Sequence, residues 1–171
     1  PVIMQNNIKE AYMSKKIIVF RVLFTIATVC TIIFIFSNSL QIAEVSSGKS
    51  EKVMFFSNGI LEKLGVGLRF SETVVRKLAH MAEYAMLGFW ATLTLRVYTR
   101  RVLSHFSWPL LLGLAVPVAD EFLQTLVQGR SGEVRDVIID FAGVCAGALV
   151  GLFILLLVRM FNVLRRSKTE L

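Results

Sequence analysis

The stretch VIIDFAGVCAGALVGLFILLLV, residues 137–158, decides the fold class of this chain. Apart from Asp140 near its start, it consists of apolar and small residues. A helix needs about 20 predominantly apolar residues to cross the hydrocarbon core of a bilayer. The stretch is long enough, so it predicts a transmembrane helix.

A small-residue stripe runs along this predicted helix. Gly143, Gly147 and Gly151 follow one another at intervals of four residues, and Asp136 and Asp140 extend the same stripe toward the start. Small residues at this spacing let two helix backbones approach closely in lipid. We therefore expect Asp140 to face the other helices and not the lipid.

Three further apolar stretches, at about 17–37, 74–97 and 102–127, also have the length of membrane spans. Arg21 interrupts the first near its start, where a long side chain can reach the headgroups. Charged residues make up 18% of the chain, below the roughly 25% of soluble domains. The prediction is an all-α, polytopic membrane bundle of about four transmembrane helices, forming a single domain over residues 1–171.

Between the first two spans, residues 38–72 are too polar to cross a membrane. Val53, Phe56, Ile60, Leu61 and Leu64 recur there at helical spacing, with charged residues between them. This pattern predicts an amphipathic helix on the outer membrane surface, ended by the glycines at 65 and 67. A surface connector and a lid over a substrate site both fit the pattern.

The positive charges predict which side of the membrane each connection occupies. The net charge is +7, and basic residues concentrate in the N-terminal segment, the 96–101 connection and the C-terminus. Basic connections stay in the cytoplasm. We expect both termini on the cytoplasmic side of the membrane, with anionic lipids rather than nucleic acid as the partners of these charges. The residues are Lys9, Lys15, Lys16, Arg21, Arg96, Arg100, Arg101, Arg159, Arg165, Arg166 and Lys168.

Ionisable residues inside the predicted spans form the candidate site. Arg76, His80 and Glu83 are spaced to share one helix face, and Asp120 and Gln124 share another. With a rise of about 1.5 Å per residue, His80, Glu83 and the pair Asp120 and Glu121 lie roughly 10–15 Å below the outer surface. Asp140 lies a turn or so below the outer end of its helix, so groups from three helices reach similar depths. Charges within a bilayer are costly, so they pair with one another or line a wet cavity. We favour an outward-facing functional site over an ion-pair network that serves only structure.

Two roles follow from the residue types. Histidine and carboxyl groups can transfer protons, whereas basic and amide groups can hold a phosphate or carboxylate. One histidine is few for zinc and the basic residues would repel a cation, so no metal site is predicted, and no cofactor is indicated. The candidate catalytic residues are His80, Glu83, Asp120 and Glu121. The candidate substrate-binding residues are Arg76, Lys77, Tyr84, Gln124, Arg130, Arg135, Asp136 and Asp140.

The order of these motifs resembles the VanZ-like family. The segments RKLAHMAEY (76–84), DEFLQ (120–124) and GR (129–130), then Asp136, Asp140 and the glycine-rich helix, carry the likeness over about residues 17–158. The likeness extends to Phe36-Ser37-Asn38-Ser39 and to the serines at 46 and 47. Asn38 and Leu40 differ from the serine- and glutamine-rich sequence that is more usual for the family at this point. The matched motif positions are Lys77, His80, Glu83, Asp120, Glu121, Gln124, Arg130, Asp136 and Asp140.

This resemblance implies a small bacterial membrane protein of a family associated with resistance to teicoplanin, a lipid-tailed glycopeptide antibiotic. It implies a phenotype class and no particular reaction, so whether the chain is an enzyme stays open. Our hypothesis is a protein that binds or processes the headgroup of a membrane lipid or lipid-linked envelope precursor. A proton-linked lipid flippase, which would need a homo-oligomer, and a structural or regulatory membrane partner are the alternatives.

Overall fold

The computed structural model describes residues 2–167, with the side chains of residues 15–167 other than 43 and 166. The charges of Lys9, Arg166 and Lys168 used above lie outside these described side chains. The described chain is all α-helical, as predicted, with no strand. Its helices are α1 (Val2–Ser39), α2 (Ala43–Lys63), α3 (Glu72–Tyr98), α4 (Ser107–Gln124) and α5 (Val134–Ser167).

Three helical segments are long and apolar enough to cross a membrane: Lys15–Ser39, Leu103–Gln124 and Val134–Arg165. The sequence predicted about four spans, and the predicted span that is not among these three, at about 74–97, forms α3. At 27 residues α3 has the length to cross. Its apolar character is reduced because its first half carries His80 and Glu83 among other polar groups.

Helix α3 occupies the centre of the bundle, where it packs against α1, α2, α4 and most extensively α5. The glycine stripe explains the close approach of α5. A methyl group on Gly143 or Gly147 would overlap the backbone carbonyl of Met81 or Ala85 on α3. A methyl group on Gly88 of α3 would likewise overlap the backbone carbonyl of Val144 on α5, so both helices contribute glycine to the contact.

The third predicted stretch, 102–127, is helical over a shorter range than expected. It opens with a 3₁₀ turn at Leu103–His105, and α4 begins only at Ser107. Pro109 fits in the first turn of α4 because no intrahelical partner is needed for its missing N–H. After Gln124 the α-helix gives way to tighter turns, in which Leu126 N–H donates to Leu123 O and Val127 N–H donates to Gln124 O.

The amphipathic helix predicted for residues 38–72 is present as α2. It ends at Lys63, and Gly65 follows with a φ of +71°, a conformation that glycine adopts without strain. Val53, Phe56 and Ile60 are exposed, as expected for a face turned to lipid, whereas Leu61 is half-buried. The opposite face packs on α3.

The two ends of the bundle differ in character. At one end, Arg21 Nε donates a 3.0 Å hydrogen bond to the Val97 carbonyl, and its guanidinium lies over the Tyr98 ring. A groove at this end is lined by the four arginines 96, 100, 101 and 159. The candidate site lies at the other end, where α1 and α4 finish and α3 and α5 begin. The arginine-lined groove and the candidate site therefore lie at opposite ends of the bundle.

Candidate functional site

A cavity of about 170 Å³ opens where α3, α4, α5 and the 125–133 connection meet. Its volume is well above the roughly 10–15 Å³ that one water requires. Most of the residues that line it are polar or charged, which is unusual among helices of this apolar character. The lining residues are Arg76, Lys77, His80, Glu121, Gln124, Gly129, Arg130, Ser131, Glu133, Asp136, Ile139 and Asp140.

Asp120 lies at the inner end of the site and is fully buried. Its Oδ2 accepts a 2.7 Å hydrogen bond from the Ser39 hydroxyl and a 3.1 Å bond from Gln124 Nε2. Its Oδ1 is buried with no hydrogen-bond partner. One oxygen of this carboxyl group is thus held by two hydrogen bonds, whereas the other has none and the equally unpartnered Tyr84 hydroxyl lies near the carboxyl group.

Glu121 is positioned from both sides. Its Oε2 accepts a 2.7 Å hydrogen bond from the backbone N–H of Glu133, and its Oε1 accepts a 3.2 Å bond from Gln124 Nε2. The first bond ties the 125–133 connection to α4. Gln124 therefore bridges the two neighbouring carboxyl groups, which explains the Asp-Glu-x-x-Gln spacing.

Glu83 is turned toward the end of α1 rather than into the cavity. Asn38 Nδ2 donates a 2.9 Å hydrogen bond to Glu83 Oε1, while Glu83 Oε2 is buried and unpartnered. The contact continues outward, because Gln41 Nε2 donates to Asn38 Oδ1 and Lys49 Nζ to Gln41 Oε1. This chain of bonds links α3, the end of α1 and α2.

The basic residues of the site are largely unpaired. Among the described side chains of the site, one ion pair is present, and it joins Lys77 Nζ to Asp136 Oδ1 across α3 and α5. Arg130 Nη1 donates a 3.1 Å hydrogen bond to the Ser39 carbonyl. Burial, with the neighbouring Arg76 guanidinium, lowers the pKa of Arg130, yet an arginine stays charged at neutral pH. Two guanidinium groups therefore face one cavity.

Three potential ligands from three helices converge beside the cavity. Nitrogen or oxygen atoms of His80 on α3, Asp120 on α4 and Asp140 on α5 all lie within 4.8 Å of one another. Asp140 is 2% exposed, and no hydrogen bond to it is found within the described part of the chain. His80 Nδ1 is also buried without a partner.

The structure brings most of the predicted site residues together. Glu83 and Tyr84 do not line the cavity, and the Tyr84 hydroxyl is buried without a hydrogen-bond partner. Arg135 is exposed at the start of α5 and does not line the cavity. The remaining predicted residues line the cavity or, for Asp120, contact those that do.

Sequence reasoning missed the contribution of Asn38 and Ser39 to the site. Both residues follow the last apolar turn of the first span, which places them at the same end as the acidic residues. That position was the available signal. It was overlooked because neutral polar residues are common at the end of a span, and only charged residues within the spans had been treated as signals of a site.

Comparison with known proteins identifies one family. No curated protein and no solved structure matches the chain significantly. The profile of the VanZ/LLP1 family matches residues 22–159. The match runs from the first span past the glycine stripe and includes every residue that lines the cavity. The chain therefore belongs to the VanZ/LLP1 family.

Proposed function

We propose that the chain crosses the bacterial cytoplasmic membrane four times, with α3 as the additional span and both termini in the cytoplasm. The polar groups of α3 do not oppose this, because Arg76, Lys77 and His80 line the cavity. Glu83 is half-buried and accepts a hydrogen bond from Asn38. The arginines at 21, 96, 100, 101 and 159 gather at one end of the bundle. By the positive-inside rule that end faces the cytoplasm, and the cavity then opens toward the outer leaflet.

We further propose that the cavity binds the phosphate-bearing headgroup of a membrane lipid or a lipid-linked envelope precursor. The observation that carries this is the pair of guanidinium groups of Arg76 and Arg130 facing a cavity of about 170 Å³. A guanidinium has five N–H donors, and Arg130 uses one of them on Ser39. The remaining donors suit the oxygens of a phosphate.

The carboxyl groups and His80 provide proton donors and acceptors, which a site that only binds a headgroup does not need. Asp120, Glu121 and His80 lie at the cavity and can accept or give protons to a bound headgroup. Chemical processing of the headgroup is therefore part of the proposal. A contribution to resistance against lipid-tailed glycopeptides is the expected phenotype, since such compounds act at the same outer surface.

The two alternative functions are less well supported by the contacts. A purely structural network needs its charges to close on one another, yet the described side chains of the site form one ion pair, Lys77 with Asp136. A flippase needs a polar path across the membrane. Below the site, α3 and α5 are in close backbone contact at Gly88 and Gly147, which leaves no such path between them.

Lipid binding by the purified protein tests the proposal directly. Native mass spectrometry in detergent would compare a polyprenyl phosphate with the matching polyprenol, which lacks the charge. We expect preferential binding of the phosphate and a loss of about tenfold or more in Arg76→Gln and Arg130→Gln. Arg69→Gln removes an exposed arginine near the same end and serves as the matched control. Equal binding of phosphate and alcohol would refute the proposal.

A further inference from the structure

The proposed binding of a phosphate headgroup by arginines does not explain why His80, Asp120 and Asp140 cluster together. Each residue comes from a different helix, and their potential ligand atoms lie within 4.8 Å of one another. Two of the three are nearly inaccessible, with Asp120 fully buried and Asp140 2% exposed. Two carboxyl groups so close together in a buried place repel each other unless a proton or a cation lies between them.

The neighbouring basic groups do not neutralise these carboxyl groups by direct contact. Lys77 is paired with Asp136, and Arg130 donates to the Ser39 carbonyl. Asp120 Oδ1 is a fully buried oxygen with no partner, and His80 Nδ1 also lacks one. Buried polar atoms are almost always paired, and these two unpaired atoms belong to residues whose potential ligand atoms lie within 4.8 Å of one another. The Tyr84 hydroxyl, which lies near Asp120, is unpaired as well. The three unpaired atoms together indicate a missing partner.

We propose that His80, Asp120 and Asp140 bind a divalent transition-metal cation, zinc or manganese. Imidazole nitrogen and carboxylate oxygen are ordinary ligands of both. Ligand atoms about 2.0–2.1 Å from zinc stand about 3.4 Å apart, so small side-chain rotations suffice to close the site from 4.8 Å. Three protein ligands leave a fourth position, and the cavity lined by His80 and Asp140 lies on that side.

Contacts around the cluster suit a metal ligand. Oδ2 of Asp120 is held by Ser39 and Gln124 and leaves Oδ1 to coordinate. Hydrogen bonds of this kind orient ligating carboxylates in metal sites. Without a positively charged partner, fixing a buried carboxyl group in this way would be energetically unfavourable.

The nearby arginines weaken the attraction for a cation but do not exclude it. Three basic residues line the cavity, and five carboxyl groups at the site outnumber them. The basic residues are Arg76, Lys77 and Arg130, and the carboxyl groups are those of Asp120, Glu121, Glu133, Asp136 and Asp140. A metal ion together with arginines is an arrangement that stabilises phosphoryl groups. The metal proposal goes beyond the headgroup proposal and does not depend on it, because metal binding is measured without lipid.

The test uses the full chain in detergent, stripped with a chelator and then titrated with Zn²⁺, Mn²⁺ or Co²⁺ alone. We expect one tightly bound ion per chain by elemental analysis and calorimetry. Asp120→Asn, Asp140→Asn and His80→Gln should each weaken binding at least about 100-fold, whereas Glu133→Gln, an exposed carboxyl group at the mouth of the same cavity, should not. Size-exclusion profiles would confirm that each variant is folded.

A second variant keeps the test decisive if a ligand substitution prevents folding. His80→Cys replaces imidazole with thiolate, which also binds zinc and cobalt. With Co²⁺ it should show a thiolate-to-metal charge-transfer band that the unaltered protein lacks. No bound ion in the unaltered protein, or binding that survives all three ligand substitutions or falls equally in Glu133→Gln, would overturn the proposal. Phosphate-selective lipid binding without metal would then leave the arginine site standing alone.

Discussion

The hydroxyl of Ser39 donates a 2.7 Å hydrogen bond to Oδ2 of Asp120, and both side chains are fully buried. Ser39 is the last residue of α1, and Asp120 lies in the last turn of α4. The Ser39 carbonyl accepts from Arg130, so one residue contacts both an acidic and a basic group of the site. The end of the first span is therefore part of the site and not a passive connector.

Ser39→Ala removes this donor and leaves a buried carboxylate oxygen with one fewer partner. We expect a loss of about 1–3 kcal/mol in the free energy of unfolding, measured by denaturation in mixed micelles. Ser37→Ala is the matched control, because Ser37 is exposed and bonds only to the Ile33 carbonyl of its own helix. Equal stability of the two variants would show that the Ser39 bond contributes nothing.

The glycine contact between α3 and α5 makes a second prediction. Gly147→Ala places a methyl group against the Ala85 carbonyl, and since backbone cannot move aside cheaply, the helices must separate. We expect a destabilisation of about 1–3 kcal/mol in the same unfolding measurement. Gly48→Ala in α2, where nothing lies within 4 Å, should be neutral or slightly stabilising. A stable Gly147→Ala protein would argue against the close packing.

The phenotype prediction concerns two carboxyl groups near the cavity, the half-buried Glu83 and the buried Asp120. Glu83→Gln and Asp120→Asn keep the shape of each side chain and remove its charge, so we expect loss of teicoplanin resistance at unchanged membrane expression. The measurement is the inhibitory concentration in a susceptible bacterium that expresses each variant. Glu62→Gln, exposed on α2, is the control and should behave as the unaltered chain does. Full resistance in both Glu83→Gln and Asp120→Asn would count against a functional role for these groups.

Much of this arrangement could be predicted from spacing alone. Asp140 shares a stripe with three glycines, and small residues face neighbouring helices in lipid, so its burial followed from helical periodicity. The ends of α3 fell within two residues of the predicted 74–97. The family resemblance was confirmed by the match over residues 22–159. Periodicity and long apolar runs are properties of one helix, and one sequence is enough to reveal them.

Contacts between helices were harder to predict. Glu83 shares a helical face with His80, yet it bonds to Asn38 while His80 lines the cavity, because α1 and the cavity border different parts of that face. The convergence of His80 with Asp120 and Asp140 also depends on the rotation of three helices about their axes. That rotation is set by packing, which hydrophobic periodicity constrains only to within a broad arc.

The ion pair between Lys77 and Asp136 should contribute little to stability. Its side chains are 30% and 31% exposed, so water screens the attraction. A double-mutant cycle with Lys77→Gln and Asp136→Asn should yield a coupling energy no larger than about 1 kcal/mol in the unfolding measurement. A markedly larger coupling would mean that the pair is less hydrated than its exposure indicates, and would revive the structural reading of the charges.

Cysteine labelling tests the direction of α3, on which the outward-facing site depends. Leu68 and Ser104 are both exposed and lie just before and just after α3. In a chain whose native Cys30 and Cys145 are replaced by alanine, Leu68→Cys should react in intact cells with a membrane-impermeant maleimide. Ser104→Cys should react only after the cells are permeabilised. If both positions react in intact cells, or neither does, α3 does not cross the membrane and the four-span topology fails. A reversed pattern would preserve the crossing but place the cavity on the cytoplasmic side, which would exclude an outer-leaflet headgroup as its ligand.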